Sequence, residues 1–350
     1  MYAETKQKVE IKLYVAALNM QKKVTYSKIK NAPLVASYIL DRRKTDVSFW
    51  NQLSYSPLLA QLIVTRRCNL DCGYCNEFDT TSEPVTLKIL QERITKLRSL
   101  GAFSIEFSGG EPLLHPNLAD IVRYATELKF PERMLISNAF LMTDEKIEAL
   151  NDAGLTHLQV SVDGVKINDV TKKTLNPLRS RLKRISKLAK FKVVLSGVVG
   201  ACPAEETIEM VKFAEDHGFT PRVLLIHGDD GQIKLSTQEM DQYSLAMRQI
   251  GTNASESLGY RKKLIQGEKA PYKCRAGSRY LYVDEFGDVH WCSQMRDSFK
   301  KPLHEYTMSD LKQQFHTEKG GCESFCTIGC ARTCSALDEF REQKLLTDTQ

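Results

Sequence analysis

From about residue 58 to residue 230, short apolar runs alternate with stretches of helical periodicity. The strand-like runs are Leu58 to Thr65, Ser104 to Phe107, Arg133 to Ser137, His157 to Ser161, Lys192 to Val198 and Arg222 to Ile226. Between them the spacing predicts helices over 86–100, 117–129, 144–152, 180–190 and 204–217, with Gly or Pro at most junctions. Six successive βα units give a parallel sheet with right-handed crossovers, whose strands tolerate continuous apolar runs because both faces are covered. Such folds place their chemistry at the C-terminal ends of the strands.

Each unusual motif falls at such an end. Cys68, Cys72 and Cys75 follow the first strand and Ser108-Gly109-Gly110-Glu111-Pro112 the second. Ser137-Asn138-Ala139 follows the third, and Ser161-Val162-Asp163-Gly164 ends the fourth. Four motifs on one rim predict one active site. Beyond residue 230 comes a polar helical stretch, roughly 236–255, and then a cysteine-rich tail from about 271. Within that tail Glu285-Phe286-Gly287 separates two short β-rich runs, the pattern of a small hairpin.

Composition and charge narrow the class. In 350 residues no apolar run approaches the roughly 18 that cross a bilayer, and the charged start lacks the core of a secretion signal, so a cytoplasmic protein is expected. The net charge of +6 resides in residues 1–50, which hold ten Lys/Arg against four Asp/Glu, while the other 300 residues hold 39 of each sign. A general nucleic-acid surface is therefore not expected. Nine of the ten cysteines are grouped, and only Cys202 stands alone. Without a secretion signal, grouped thiols point to metal or redox chemistry rather than disulfides.

Cys68, Cys72 and Cys75 supply three thiolates within eight residues. A four-iron cubane takes four ligands, so three leave one iron open, whereas structural zinc wants four closed ligands. Here the sequence resembles the radical S-adenosylmethionine (SAM) superfamily: Cys68, Cys72, Tyr74 and Cys75 meet its Cys-x3-Cys-x-aromatic-Cys signature, and Gly109-Gly110-Glu111-Pro112 follows at the next strand. The resemblance implies an α/β fold, a partial (β/α)6 barrel, in which a [4Fe-4S] cluster binds SAM through its open iron. Reductive cleavage of SAM there yields a 5′-deoxyadenosyl radical that abstracts hydrogen from an unactivated carbon. It further implies that Gly109 and Gly110 let backbone approach the methionine moiety and that Glu111 accepts from its ammonium group. Asn138 would touch the cofactor, Ser161 and Asp163 would bind the ribose, and Tyr74 would lie against the adenine. Ala139 departs from the glycine that relatives often carry in that turn, and Ser161 and Asp163 also suit a plain turn with Gly164.

Cys274, Gly287 and Cys292 resemble the opening of the SPASM and twitch auxiliary-cluster extensions, a small Cys-rich α+β domain. The run Cys322, Cys326, Cys330, Cys334 keeps a three-residue gap throughout and departs from the usual second half. As one helix it would rise about 18 Å, too far for one cubane, so the thiols must be divided or the helix broken. Two readings stay open: one auxiliary [4Fe-4S] cluster on Cys274, Cys292 and two of the run, or two clusters sharing the six. A structural zinc ribbon is the third.

The expected organisation is a basic helical arm over 1–55, a radical SAM core over 56–232, a helical linker over 233–270 and an auxiliary-cluster domain over 271–350. In the arm, Ile11, Tyr14, Val15 and Leu18 fall at helical spacing beside Lys8, Lys12, Lys22 and Lys23. Such a helix packs on the barrel or lies on an anionic membrane surface, and it is shorter than the leader-peptide recognition domain of some relatives. The expected substrate is a peptide or protein, with a lipid or other hydrophobic metabolite as the alternative, and the expected reductant is a flavodoxin or ferredoxin. A non-enzymatic iron-sulfur sensor is the rival of another class, but it has no need of the Gly109-Gly110-Glu111 turn.

Overall fold

The structure is a computed structural model that describes residues 55–338, except 76, 227–234, 251–263, 265, 271–272, 297, 321–324 and 337. The basic arm and Cys322 therefore lie outside the described residues. Six parallel strands carry the core: β1 (Leu59–Thr65), β2 (Ser104–Gly109), β3 (Glu132–Ser137), β4 (His157–Ser161), β5 (Lys192–Val199) and β6 (Thr220–Leu225). They lie side by side in chain order and the sheet does not close, which is the expected partial barrel.

Helices α1 (Leu87–Ser99), α2 (Leu118–Glu127), α3 (Asp144–Ala153), α4 (Leu175–Leu188) and α5 (Ala204–Asp216) return the chain between strands. Their apolar stripes, such as Leu90, Ile94 and Leu97 on α1 and Leu178, Leu182 and Ile185 on α4, are fully buried against the outer face of the sheet. Helix α4 begins at Leu175, five residues before the expected start, because Pro177 sits in its first turn, where a missing N–H costs nothing. Helix α3 ends where Gly154 turns left-handed at φ 85°. Helix α6 (Thr237–Ile250) follows β6. No described helix is long and apolar enough to cross a membrane.

Side chains alternate across each strand, so β1 serves two cores. Ala60, Leu62 and Val64 pack among the helices, while Ile63 faces a second cluster built from the C-terminal region. The inner face is polar at mid-height: Arg222 Nη1 donates to Gln159 Oε1 at 2.7 Å, and the Tyr280 hydroxyl donates to Gln61 Oε1.

The C-terminal region extends the same sheet. Strand β7 (Tyr280–Val283) pairs in parallel with the free edge of β1, and β8 (Asp288–His290) and β9 (Lys301–Pro302) follow antiparallel. Helix α7 (Met308–His316) opens with a capping box between Thr307 and Asp310. Helix α8 (Gly329–Ala336) packs behind β7.

A buried pair fastens this extension to the start of β1. Arg279 Nε donates to Asp338 Oδ2 at 2.8 Å, both side chains are almost wholly buried, and Arg279 Nη1 donates to the Ser56 carbonyl at 2.7 Å. Removing one partner of a buried pair strands the other charge, at about 3–5 kcal/mol. Arg279→Met is therefore expected to lower unfolding free energy by about that amount in a denaturant titration, and an unchanged midpoint would contradict the fastening role.

Candidate active site

The first cysteine loop leaves β1 through Arg66 and Arg67 and is closed at its base by Cys68 N–H to the Asp79 carbonyl and Asp79 N–H to the Arg66 carbonyl, both 2.9 Å. The loop after β4 clamps it from the other side. Gly73 N–H donates to the Val170 carbonyl at 3.1 Å, and a Cβ on Gly73 would stand 3.0 Å from the Asp169 carbonyl oxygen. Lys172 N–H donates to Cys72 Sγ at 3.3 Å and Leu70 N–H to Cys68 Sγ at 3.4 Å. Donors aimed at sulfur favour thiolate over thiol. Burial nevertheless pushes the Cys68 and Cys75 thiols up from their ordinary range, so a bound cation is what would hold them as thiolates.

The glycine turn answers to the chain itself. Gly109 has φ 148°, and a Cβ there would lie 2.0 Å from the Thr65 carbonyl oxygen. A Cβ on Gly110 would lie 2.3 and 2.4 Å from the carbonyl oxygens of Arg66 and Arg67. Both glycines thus let β2 close on the backbone that leads into the cysteine loop, where Gly110 N–H and Glu111 N–H donate to the Thr65 and Arg67 carbonyls at 2.9 Å. Glu111 is fully buried; its Oε1 accepts from Leu113 N–H at 2.9 Å and the Ser137 hydroxyl at 2.8 Å, and its Oε2 from Asn138 N–H at 2.7 Å. The carboxylate joins the ends of β2 and β3. Asn138 Nδ2 in turn donates to Asn69 Oδ1 at 2.9 Å and approaches Cys68 Sγ at 3.9 Å. Ala139 takes the left-handed conformation, φ 60°, which favours glycine.

Tyr74, Asp163, Thr171 and Lys173 form one group beside the cysteines. The Tyr74 hydroxyl donates to Asp163 Oδ2 at 2.6 Å, the Thr171 hydroxyl donates to the same oxygen at 3.0 Å, and Lys173 Nζ lies 3.6 Å from it. Asp163 Oδ1 is buried with no hydrogen-bond partner among the described residues. Ser161 lies half-buried at the end of β4, in register with Ser196 of β5. Lys173 is a site residue that sequence reasoning missed; a Lys-Lys pair in a balanced chain gives no signal, and only burial singles it out.

The C-terminal cysteines are divided by a helix start. Cys330 and Cys334 lie one turn apart on α8, whereas Cys326 precedes the helix, where its Sγ accepts from Ile328 N–H at 3.3 Å. Cys274, Cys292, Cys330 and Cys334 share one apolar cluster with Ile63, Ala276, Tyr280, Tyr282 and Ala331. Burial pushes the Cys330 thiol up to about 12 and Cys334 higher still. Nearby on the barrel's inner face, Glu106 is fully buried, its Oε1 has no partner among the described residues, and burial raises its carboxyl to about 7. The Tyr282 hydroxyl donates to Glu77 Oε1 at 2.8 Å and so ties the first cysteine loop to β7.

The residues fit an iron-sulfur cluster with an organic cofactor beside it. Among the described residues no three Cys, His, Asp or Glu side chains converge on a single metal-ion position; an iron-sulfur cluster would instead spread its thiolate ligands over several irons. Amide donors already point at two of the three sulfurs, and the carboxylate that holds the Tyr74 hydroxyl keeps one unpaired oxygen as an acceptor.

Residues 62–234 match the family model described as the Radical SAM superfamily. The PqqA peptide cyclase of Bradyrhizobium diazoefficiens is 35% identical over 113 residues, 31% of this chain and 30% of that protein. The GTP 3′,8-cyclase of Chlorobaculum tepidum is 33% identical over 129 residues, 36% of this chain and 38% of that protein. The chain thus spans between three and four tenths of the length of these two relatives. Streptococcus suis SuiB bound to precursor peptide SuiA superposes with a TM-score of 0.58 at 18% identity, over 81% of this chain and 70% of that one, a likeness of fold. With its three-thiol loop and Gly-Gly-Glu turn at the heads of β1 and β2, this chain carries a radical SAM domain over residues 62–234.

Proposed function

We propose that this enzyme binds a [4Fe-4S] cluster on Cys68, Cys72 and Cys75 with SAM beside it, and functionalises a carbon-hydrogen bond of a peptide or protein. When bound, the cluster and SAM together supply a 5′-deoxyadenosyl radical able to abstract hydrogen from an unactivated carbon. The observation that carries the reading is the clamp on the cysteine loop, with its N–H donors to Cys72 and Cys68 and the unpaired Asp163 oxygen alongside. In it the three cysteines hold the cluster, Asp163 and Ser161 receive ribose hydroxyls, and Tyr74, anchored to Asp163, lines the adenosine end. Glu111 and Asn138 hold the rim that meets the amino-acid end, and Gly109 and Gly110 allow that rim to close. The peptide class is supported by the similarity to PqqA peptide cyclases and by the fold shared with SuiB, a structure solved with precursor peptide.

The second cluster belongs to the same proposal. Cys274, Cys292, Cys330 and Cys334 supply four thiolates from one apolar cluster, against β7 and β1. That is the donor set of one auxiliary cubane, leaving Cys326 outside it.

Dithionite-reduced, anaerobically reconstituted protein is expected to convert SAM to methionine and 5′-deoxyadenosine, and Cys72→Ala to reduce that product to background by chromatography. Absence of both cleavage and SAM binding in the wild type would overturn the reading. Replacing Cys68, Cys72 and Cys75 together with Ala is expected to leave about four irons and four sulfides per chain; zinc without iron there would sink the auxiliary cluster. For the substrate class, 5′-deoxyadenosine formation should rise with a protease-sensitive fraction of source-cell extract. A stimulus that survives protease and partitions with lipid would contradict a peptide substrate.

A further inference from the structure

Lys173 stands apart from every other lysine of the loop that clamps the cysteines. Its side chain is 19% exposed, its Nζ lies 3.6 Å from Asp163 Oδ2, and the same Nζ lies 4.7 Å from the centre of the Tyr74 ring. Neighbouring Lys172, by contrast, directs its Nζ to the Asn168 carbonyl at 3.2 Å. Burial acts against the charge of Lys173, but Asp163 and Tyr74 outweigh it, so the ammonium is held well above its ordinary range and remains a fixed cation. The backbone fixes it further, because Asp163 N–H donates to the Lys173 carbonyl at 2.8 Å, and Gly164 and Thr174 form a bridge next to it.

This cation lies against the cysteine loop, its Nζ over the ring of Tyr74. Tyr74 sits between Cys72 and Cys75 in the clamped loop. Lys172 N–H adds its hydrogen bond to Cys72 Sγ from the same turn. The potential of an iron-sulfur cluster depends on the charge around it, on hydrogen bonds to its sulfurs and on solvent exposure. A cation fixed in a poorly hydrated position is one such lever, since solvent screens its field less there than at the surface.

We propose that Lys173 is a positioning residue that makes the cluster on Cys68, Cys72 and Cys75 easier to reduce, acting through its fixed positive charge over Tyr74, which lies between Cys72 and Cys75 in the chain. The inference rests on the proposed function above and extends it to the electron-accepting step. One electron passes from an external low-potential donor to the cluster, and the Lys173 charge offsets the negative charge gained. Asp163 has the opposite duty: it neutralises part of that cation while Tyr74 and Thr171 hold its Oδ2.

The test is a redox titration of reconstituted full-length protein, followed by electron paramagnetic resonance of the signal that changes on adding SAM to the wild type. Lys173→Met is expected to shift the reduced-to-oxidised ratio about tenfold toward oxidised at a given potential, a fall of about 59 mV for a one-electron couple. Lys173→Arg should restore the wild-type midpoint. Asp163→Asn, titrated without SAM, should move the midpoint the other way, because it leaves the cation less neutralised. If Lys173→Met takes up no iron, the comparison passes to Lys173→Gln with the same expected direction. A wild-type midpoint in the iron-loaded Met or Gln variant would overturn the proposal, as would a fall in Asp163→Asn as well, since that would report loosened packing. A wild type with iron but no SAM-responsive signal would instead overturn the proposed function on which this inference rests.

Discussion

The close approach of β2 to the backbone leaving β1 is the contact on which the site depends. At Gly109 and Gly110 there is no room for even one methyl group, because the carbonyl oxygens of Thr65, Arg66 and Arg67 occupy it. Two N–H donors from Gly110 and Glu111 lock that contact, and Glu111 then reaches across to Ser137 and Asn138 at the end of β3. The cysteine loop begins one residue beyond Arg67. Its departure from the sheet is set by backbone, which is stiffer than any side-chain contact could make it.

From that seam the other elements take their places. The loop after β4 lies over the cysteine loop and holds it at the Gly73 amide, the Cys72 sulfur and the Tyr74 hydroxyl. It carries both Asp163 and Lys173, so one segment supplies the clamp and the ion pair beside Tyr74. On the other edge, β7 pairs with β1 and brings Tyr280 and Tyr282 against Ile63. Strand β1 therefore carries one thiol group at its C-terminal end and faces another on its inner side. Between them lies the polar part of the inner face, with Gln61 and Glu106 buried and Gln159 and Arg222 half-buried.

Much of this was legible in the chain. Six βα units announce themselves because buried parallel strands are written as unbroken apolar runs, and observed strand limits fall within two residues of those expected. The Cys68, Cys72, Cys75 spacing is local chemistry and needs no tertiary information. The glycines at 109 and 110 were legible as places of close approach, but their partner was not, because only the fold shows that β1 backbone stands there. Glu111 looked like a free acceptor and is a three-donor junction, since hydrogen-bond partners 26 and 27 residues away leave no pattern in sequence. Lys173 was invisible for the same reason. The division of the C-terminal thiols turns on where α8 begins, at Gly329, a break the sequence permitted without choosing it.

Three clamped thiolates would leave one iron of a four-iron cluster open to SAM. Mössbauer spectroscopy of 57Fe-reconstituted protein, with and without SAM, tests this directly. One iron of the cluster on Cys68, Cys72 and Cys75 is expected to change its isomer shift when SAM is added, and Cys72→Ala to remove the change. Superimposable spectra from iron-loaded wild-type protein with and without saturating SAM would contradict it.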